Sequence, residues 1–324
     1  MAAVISRRVA LTALAGSLVA LRAPAAKAAD KLRVGKAVIQ VFGYMPLDIG
    51  MKYGFFQKHG LEIEELNFGG GAKLAQAMTA GAVDIGLSGG PDMAFVAKGA
   101  PEIAIASIAA SSALMGIFVG EQSTAHGIDD LKGQKIGVTS PGSLTNWLVL
   151  ELNLVKGWTG ADRAVPVVIG APTALLAALK TGLVYAITFG MEVGYELEAR
   201  HAGRVLLECS AYVPDIELEV IFASTAITRH NPEAVRRFLA AWCETVAFMN
   251  SHKAETVQLT TQVIGYAPEV SERLYDTMMA KLSTDGKFEP KALETLRQSF
   301  VDLKVVKPPI DIAKLYTDEF LPKA

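Results

Sequence analysis

Four short stretches of this chain concentrate the residue types that hold a small ligand. They are Val41-Phe42-Gly43-Tyr44-Met45-Pro46, Ser88-Gly89-Gly90-Pro91, Ser111-Ser112, and Thr139-Ser140-Pro141-Gly142-Ser143-Leu144-Thr145. Glycine lets a ligand approach the backbone, hydroxyls donate hydrogen bonds, and the first amides of a following helix carry partial positive charge. Together they suit a small polar or anionic ligand held without a formal cation. Phe42, Tyr44, Trp147 and Phe189 are aromatic candidates for the wall of such a site. Glu192, just after Phe189-Gly190-Met191, can accept from a ligand amine or simply sit in the first turn of a helix. Helix capping explains Ser and Pro in any one of these turns equally well. It does not explain four of them facing one crevice.

Catalytic readings fare worse. Gly86-Leu87-Ser88-Gly89-Gly90 matches G-x-S-x-G, between an apolar run and a helix, as a nucleophile elbow requires. A hydrolase also needs a histidine. His201 and His252 sit beside expected helix ends, His230 precedes an N-cap, and neither these nor His126 follows an expected strand. Gly69-Gly70-Gly71 lacks the third glycine of a dinucleotide fingerprint. The sequence contains no Walker A motif, no H-E-x-x-H and no paired-cysteine metal spacing. The residues therefore predict binding without catalysis, metal or cofactor.

The composition agrees with a globular chain: 324 residues, 51% hydrophobic and 20% charged. A formal net charge of −2, from 31 basic and 33 acidic residues, leaves no basic excess for a phosphate backbone and excludes a nucleic-acid partner. Ser6-Arg7-Arg8, an apolar run over 9–21 and Ala26-Lys27-Ala28 have the layout of an export signal, of the twin-arginine kind, cleaved near Ala28. The expected location is the bacterial periplasm. Cys209 and Cys243 could pair there, a point the sequence leaves open. The uncharged run over 103–120 is interrupted by serines and reads as two buried strands meeting at Ser111-Ser112, rather than as a membrane span.

Strands are predicted over 31–41, 61–67, 83–87, 135–138, 165–169 and 184–189. Helices are predicted over 46–58, 71–80, 91–99, 143–154 and 172–180, then over 232–250, 253–263, 268–282 and 290–303. Such alternation calls for parallel sheets covered by helices. Residues 68–89 also match residues 169–190 without gaps, with Gly69/Gly170, Leu74/Leu175, Ala77/Ala178, Gly81/Gly182, Val83/Val184 and Gly89/Gly190 identical. An offset of 101 residues suggests two α/β lobes on one plan, with the ligand beyond the carboxyl ends of the strands.

Tyr53-Gly54-Phe55-Phe56, Gly60-Leu61-Glu62, Phe68-Gly69-Gly70-Gly71 and Gly81-Ala82-Val83-Asp84-Ile85-Gly86 resemble the first lobe of the nitrate/sulfonate/taurine-type solute-binding proteins of ATP-binding-cassette importers. Asp130-Leu131-Lys132-Gly133-Gln134-Lys135-Ile136-Gly137-Val138 resembles the opening of their second lobe. Asn231-Pro232-Glu233-Ala234-Val235-Arg236-Arg237-Phe238 resembles the return into C-terminal helices. The resemblance implies a type II periplasmic-binding-protein fold, two α/β lobes joined by two hinge strands with the ligand in the cleft. It places the crossings near residues 115–120 and 219–223. After the signal at 1–28, residues 29–118 and 222–324 would form the first lobe with the C-terminal helices, and 119–221 the second.

The ligand residues it points to are Phe42, Gly43, Tyr44, Gly70, Ser88, Gly89, Ser111, Ser112, Ser140, Ser143, Thr145, Asn146, Phe189 and Glu192. The partners it implies are a small organic solute, either a sulfonate or carboxylate or an aromatic or heterocyclic compound, and permease and ATPase subunits, with a monomeric binding protein. A related branch binds or converts pyrimidine thiamine precursors, and a periplasmic sensor is a further reading. Two departures stand out. Tyr185 occupies a family Asp position, and Ser143-Leu144-Thr145-Asn146 lacks the family's Ser/Thr-x-His. With no Arg in any of the turns, they argue against a strongly charged ligand; Phe42, Met45, Leu144 and Met191 would suit an apolar part.

Overall fold

Strand-forming runs alternate with helices as the pattern predicts, and the computed structural model, which describes residues 29–323, sorts them into two sheets. The expected export signal lies outside the described residues. The first part of the chain runs β1 (Asp30–Lys36), α1 (Met45–Lys52), α2 (Phe55–Lys58), β2 (Leu61–Asn67), α3 (Gly71–Thr79), β3 (Ile85–Gly89), α4 (Met93–Ala97) and β4 (Glu102–Ala109). The second runs β5 (Met115–Gly120), β6 (Lys135–Val138), α5 (Leu144–Lys156), β7 (Val165–Val168), α6 (Pro172–Lys180), β8 (Ala186–Gly190), α7 (Met191–Ala199) and β9 (Gly203–Glu208). The chain then returns through β10 (Glu219–Ser224) and ends in α8 (Thr225–His230), α9 (Pro232–Ser251), α10 (Lys253–Ile264), α11 (Pro268–Met278) and α12 (Pro290–Asp302).

The two sheets have one topology. Their orders are β2-β1-β3-β10-β4 and β7-β6-β8-β5-β9. In each, the fourth strand runs antiparallel to its neighbours: β10 between β3 and β4, β5 between β8 and β9. Those are the strands with which the chain enters the opposite lobe, so the links between lobes are residues 110–114 and 209–218, just upstream of the expected crossings. Ser112 Oγ donates to the Val213 carbonyl at 2.7 Å and ties one link to the other. Cys209, buried in the second link, and Cys243, in α9, are both free thiols.

Strands β3, β8 and β10 are buried at every position because helices cover both faces of the sheets. Pro166 is tolerated because β7 is an edge strand. The expected helix over 46–58 is broken at Gly54, whose φ of 80° only glycine adopts without strain, giving α1 and α2. The expected helix over 91–99 opens as a 3-10 turn at Gly90–Asp92. The helix that the sequence places between Glu192 and His201 without bounds is α7, whereas β9 is not predicted; Gly194 within α7 is required because a Cβ there would overlap Phe118.

Helix α9 packs on the first lobe, with the Phe56 and Phe238 rings stacked at 5.2 Å. Helix α11 instead reaches α7 of the second lobe. Arg273 Nη1 lies 2.8 Å from Glu198 Oε2, and its guanidinium sits 3.7 Å from the centre of the Tyr195 ring.

One buried ion pair fixes the end of β1 next to the cleft. Lys36 Nζ is 2.6 Å from Asp48 on α1 and 3.1 Å from Glu65 on β2, with the lysine side chain fully buried. Burial pushes the Asp48 carboxyl up, and the Lys36 ammonium opposes that rise. Removing one partner of a buried pair leaves the other uncompensated, so Lys36→Met is expected to lower the unfolding free energy by about 3 kcal/mol in a urea titration. A loss below about 1 kcal/mol would show that the cluster does not hold this corner.

Candidate functional site

The carboxyl ends of the strands of both sheets face each other across a cleft holding about 440 Å³ of atom-free space, part of it open to solvent. The first lobe contributes Ala37, Val38, Val41, Tyr44, Gly70, Gly71, Ser88, Gly89, Asp92 and Glu219; the second contributes Met115, Thr139, Ser143, Leu144, Thr145, Phe189 and Gly190. The lobes also touch directly. The Phe42 amide donates to Glu192 Oε1 at 2.9 Å, and Ser140 packs so closely on Gly70 that a Cβ there would overlap its hydroxyl. A Cβ at Gly89 would lie 2.7 Å from Leu144 Cβ.

The chemistry of the cleft is acidic. Asp92 accepts from Ser88 Oγ through one oxygen, and its Oδ1 has no hydrogen-bond partner among the described residues. Glu219, the first residue of β10, has its Oε2 unpartnered, as does Glu192 at the start of α7. All three side chains are buried. Burial pushes the Asp92 carboxyl up to about 7 and Glu192 to about 7. Burial, and then the charge of Glu192, push Glu219 up to about 8. The Tyr44 hydroxyl is held well above its usual range by burial and by Glu219, Asp92 and Glu192. No Lys, Arg or His is among the lining residues.

The glycines explain how carboxylates came to occupy these positions. A side chain at Gly71, the first residue of α3, would overlap the Asp92 carboxylate, and one at Gly43 would overlap that of Glu219. The turns that the sequence offers to an anionic ligand are thus already faced by the protein's own carboxylates.

Of the sequence-predicted residues, Tyr44, Gly70, Ser88, Gly89, Ser143, Thr145 and Phe189 line the cleft. Phe42, Gly43 and Glu192 are buried behind its wall, and Ser140, its Oγ unpartnered, closes the rim against Gly70. Ser111 and Ser112 lie in the link between lobes, where Ser112 bonds the opposite link; they do not line the cleft. Asn146 accepts the Gly142 amide at 3.0 Å and braces the turn before α5. The hydroxyls of the second lobe are largely committed to one another. Thr139 Oγ1 lies 3.0 Å from Ser143 Oγ and 2.9 Å from Thr145 Oγ1, while Ser143 caps α5. Trp147 is buried behind that turn.

The sequence reading missed Asp92, Glu219, Gly71, Ala37, Val38 and Met115. Asp92 follows Pro91 and looks like an ordinary acid in a helix's first turn. Glu219 had a usable signal: it is a lone carboxylate opening the fully buried strand Glu219-Val220-Ile221-Phe222-Ala223. The G-x-S-x-G serine donates to the Asp92 carboxylate, and no histidine is among the lining residues.

A family model described as NMT1/THI5 like matches residues 42–256. A provisionally named binding protein of Brucella abortus is 26% identical over 321 residues, covering 95% of this chain and 98% of its own. Among solved structures, the alkanesulfonate-binding protein SsuA of Xanthomonas axonopodis pv. citri, bound to MOPS, superposes with a TM-score of 0.75 at 18% identity, over 90% of this chain and 99% of that one. The periplasmic nitrate-binding protein NrtA of Synechocystis PCC 6803 does so at 0.71 and 14%, over 90% and 87%. The desulfurization enzyme DszB is more distant, at 0.60 and 14%, over 90% and 97%. The fold is therefore that of the periplasmic binding proteins, two α/β lobes around a cleft.

The raised carboxyls make stability depend on pH. A folded-state value above the unfolded one means that the folded chain holds its protons more tightly, so this contribution is full below the unfolded carboxyl range and is lost as pH rises toward 8. The melting temperature of the empty protein is expected to fall between pH 5 and pH 8. Glu102 and Glu217, pushed up to about 8 and about 7 by burial, add to that fall. The diagnostic is therefore the difference on substitution. Glu219→Gln should melt higher than the parent at pH 8 and about equally at pH 5, and equal melting at both would contradict the assignment.

Proposed function

The chain belongs to the NMT1/THI5-like family, and we propose that it is the solute-binding component of an ATP-binding-cassette importer, a periplasmic protein that hands a small organic solute to permease and ATPase subunits. The observation that carries this reading is a cleft whose lining comes from two lobes of one topology joined by two links. A ligand between them gains its full set of contacts only when both lobes engage it, so binding favours the closed arrangement over the open one. The alkanesulfonate and nitrate binding proteins that share the fold support the same role. The export signal expected in residues 1–28 supports the periplasmic location.

The wall provides for a ligand with an apolar part, through Val38, Met115, Leu144 and Phe189. Of the ligand classes the sequence suggests, an aromatic or heterocyclic compound fits these surfaces, whereas a sulfonate or carboxylate would meet Asp92 and Glu219 with no basic side chain in the lining.

Native mass spectrometry of the protein purified from its own cells is expected to detect a small organic adduct. Returned to the stripped protein, that compound should raise the melting temperature and change tryptophan fluorescence, since Trp147 rides on the helix whose first turn borders the cleft. No adduct, and no stabilisation by any compound in a broad solute panel, would overturn the reading.

A further inference from the structure

The unpartnered oxygens of the cleft specify what it is built to take. Asp92 and Glu219 both line it, each with a buried oxygen lacking a hydrogen-bond partner, and Glu192 stands directly behind with a third. They come from three separate elements, the turn after β3, the first residue of β10 and the first turn of α7. Asp92 and Glu219 thus line one cleft from different elements, with Glu192 near Glu219. A buried carboxylate is tolerated when it is paired, hydrogen-bonded or neutralised. Among the described residues, the donors to these carboxylates are the Ser88 hydroxyl and the Phe42 and Glu192 amides.

On the reading that this is a solute-binding cleft, we infer that its ligand is an organic cation, a protonated amine or amidinium carried on a small apolar body, with its charged nitrogen between Asp92 and Glu219 and its body against Leu144 and Phe189.

Size and surroundings agree. The cleft is small and partly open to solvent, so only a compact ligand is expected in it. Ser88 and Tyr44 stand beside the carboxylates, while Leu144 and Phe189 belong to the opposite lobe. A cation there would touch both halves and reward their closure. A metal ion is the poorer occupant, since no three His, Cys, Asp or Glu side chains among the described residues converge as metal ligands do. An anion would add negative charge to an already desolvated cluster.

The groups facing the nitrogen are Asp92, Glu219, Glu192 and Tyr44, with no basic side chain in the lining. The carboxyls must ionise to pair with a cation, so its binding should release protons near neutral pH and strengthen as pH rises.

Three probes of similar size separate the possibilities: benzylamine as the cation, benzenesulfonate as the anion and benzyl alcohol as the neutral form. Isothermal titration of the stripped protein at pH 8 is expected to show benzylamine binding at least tenfold tighter than benzenesulfonate, with proton release. At pH 5.5, where benzylamine is still charged, its affinity should drop at least tenfold. Glu219→Gln and Asp92→Asn should each weaken benzylamine at least tenfold while keeping the parent circular dichroism and a melting temperature no lower than the parent's.

Tighter binding of benzenesulfonate or benzyl alcohol, or unchanged benzylamine affinity in both variants, would overturn the cation inference and leave the binding-protein reading standing. If no probe binds and no adduct co-purifies, both fall. If no probe binds but an adduct does co-purify, its charge decides: a cationic compound supports the inference and an anionic one ends it.

Discussion

Closing two lobes over carboxylates that have no counter-ion is the constraint from which the behaviour of this protein follows. Glu192 of the second lobe stands near Glu219 of the first, and its charge adds to the cost of ionising Glu219 that burial sets. The Phe42 amide and the Ser88 hydroxyl offset part of the desolvation. The rest remains as carboxyls that hold their protons into the neutral range. In the empty protein that residue of unfavourable electrostatics opposes closure once the groups ionise. A bound cation would remove the opposition, so the charge that selects the ligand would also report its arrival by drawing the lobes together.

The fold meets this constraint by using one backbone plan twice and dressing the copies differently. Helices α3 and α6, and strands β3 and β8, stand at the same offset of 101 residues that the sequence match shows. Across that offset Ser88 corresponds to Phe189 and Asp92 to Val193, while Gly71, which leaves room for the Asp92 carboxylate, corresponds to Pro172. The first copy therefore presents hydroxyl and carboxylate where the second presents aromatic and aliphatic surface. Of these positions Ser88, Asp92 and Phe189 line the cleft, so corresponding turns bring different chemistry to it on one backbone plan. Lys36 plays the complementary part: its buried ammonium is spent on Asp48 and Glu65, which fixes the end of β1 and keeps that charge out of the cleft lining.

Much of this was legible in the sequence. The alternation of runs, the glycines at 81 and 182 and the repeat at a constant offset were enough to predict two α/β lobes, and glycine-rich turns at strand ends marked where the cleft lies. Residues 135–138 and 172–180 were read with the bounds that β6 and α6 have. What could not be read was the use to which glycine is put. A glycine in a turn signals that something comes close to the backbone, without saying whether it is a ligand or the protein's own side chain. At Gly43 and Gly71 it is a carboxylate. Ser111 and Ser112 illustrate the same limit. Hydroxyls at a strand junction can face a ligand or lock a link, and only the neighbouring Val213 carbonyl, about a hundred positions away in the chain, distinguishes them.

The central claim concerns the ionisation of individual groups, so it is tested most directly by carbon-13 nuclear magnetic resonance titration of the side-chain carboxyls in the empty protein, with Glu219 and Asp92 assigned by their amide variants. The account requires midpoints near 8 for Glu219 and near 7 for Asp92. Midpoints for both in the ordinary range of about 4 would mean that the carboxylates are hydrated or compensated after all, and the account would fail.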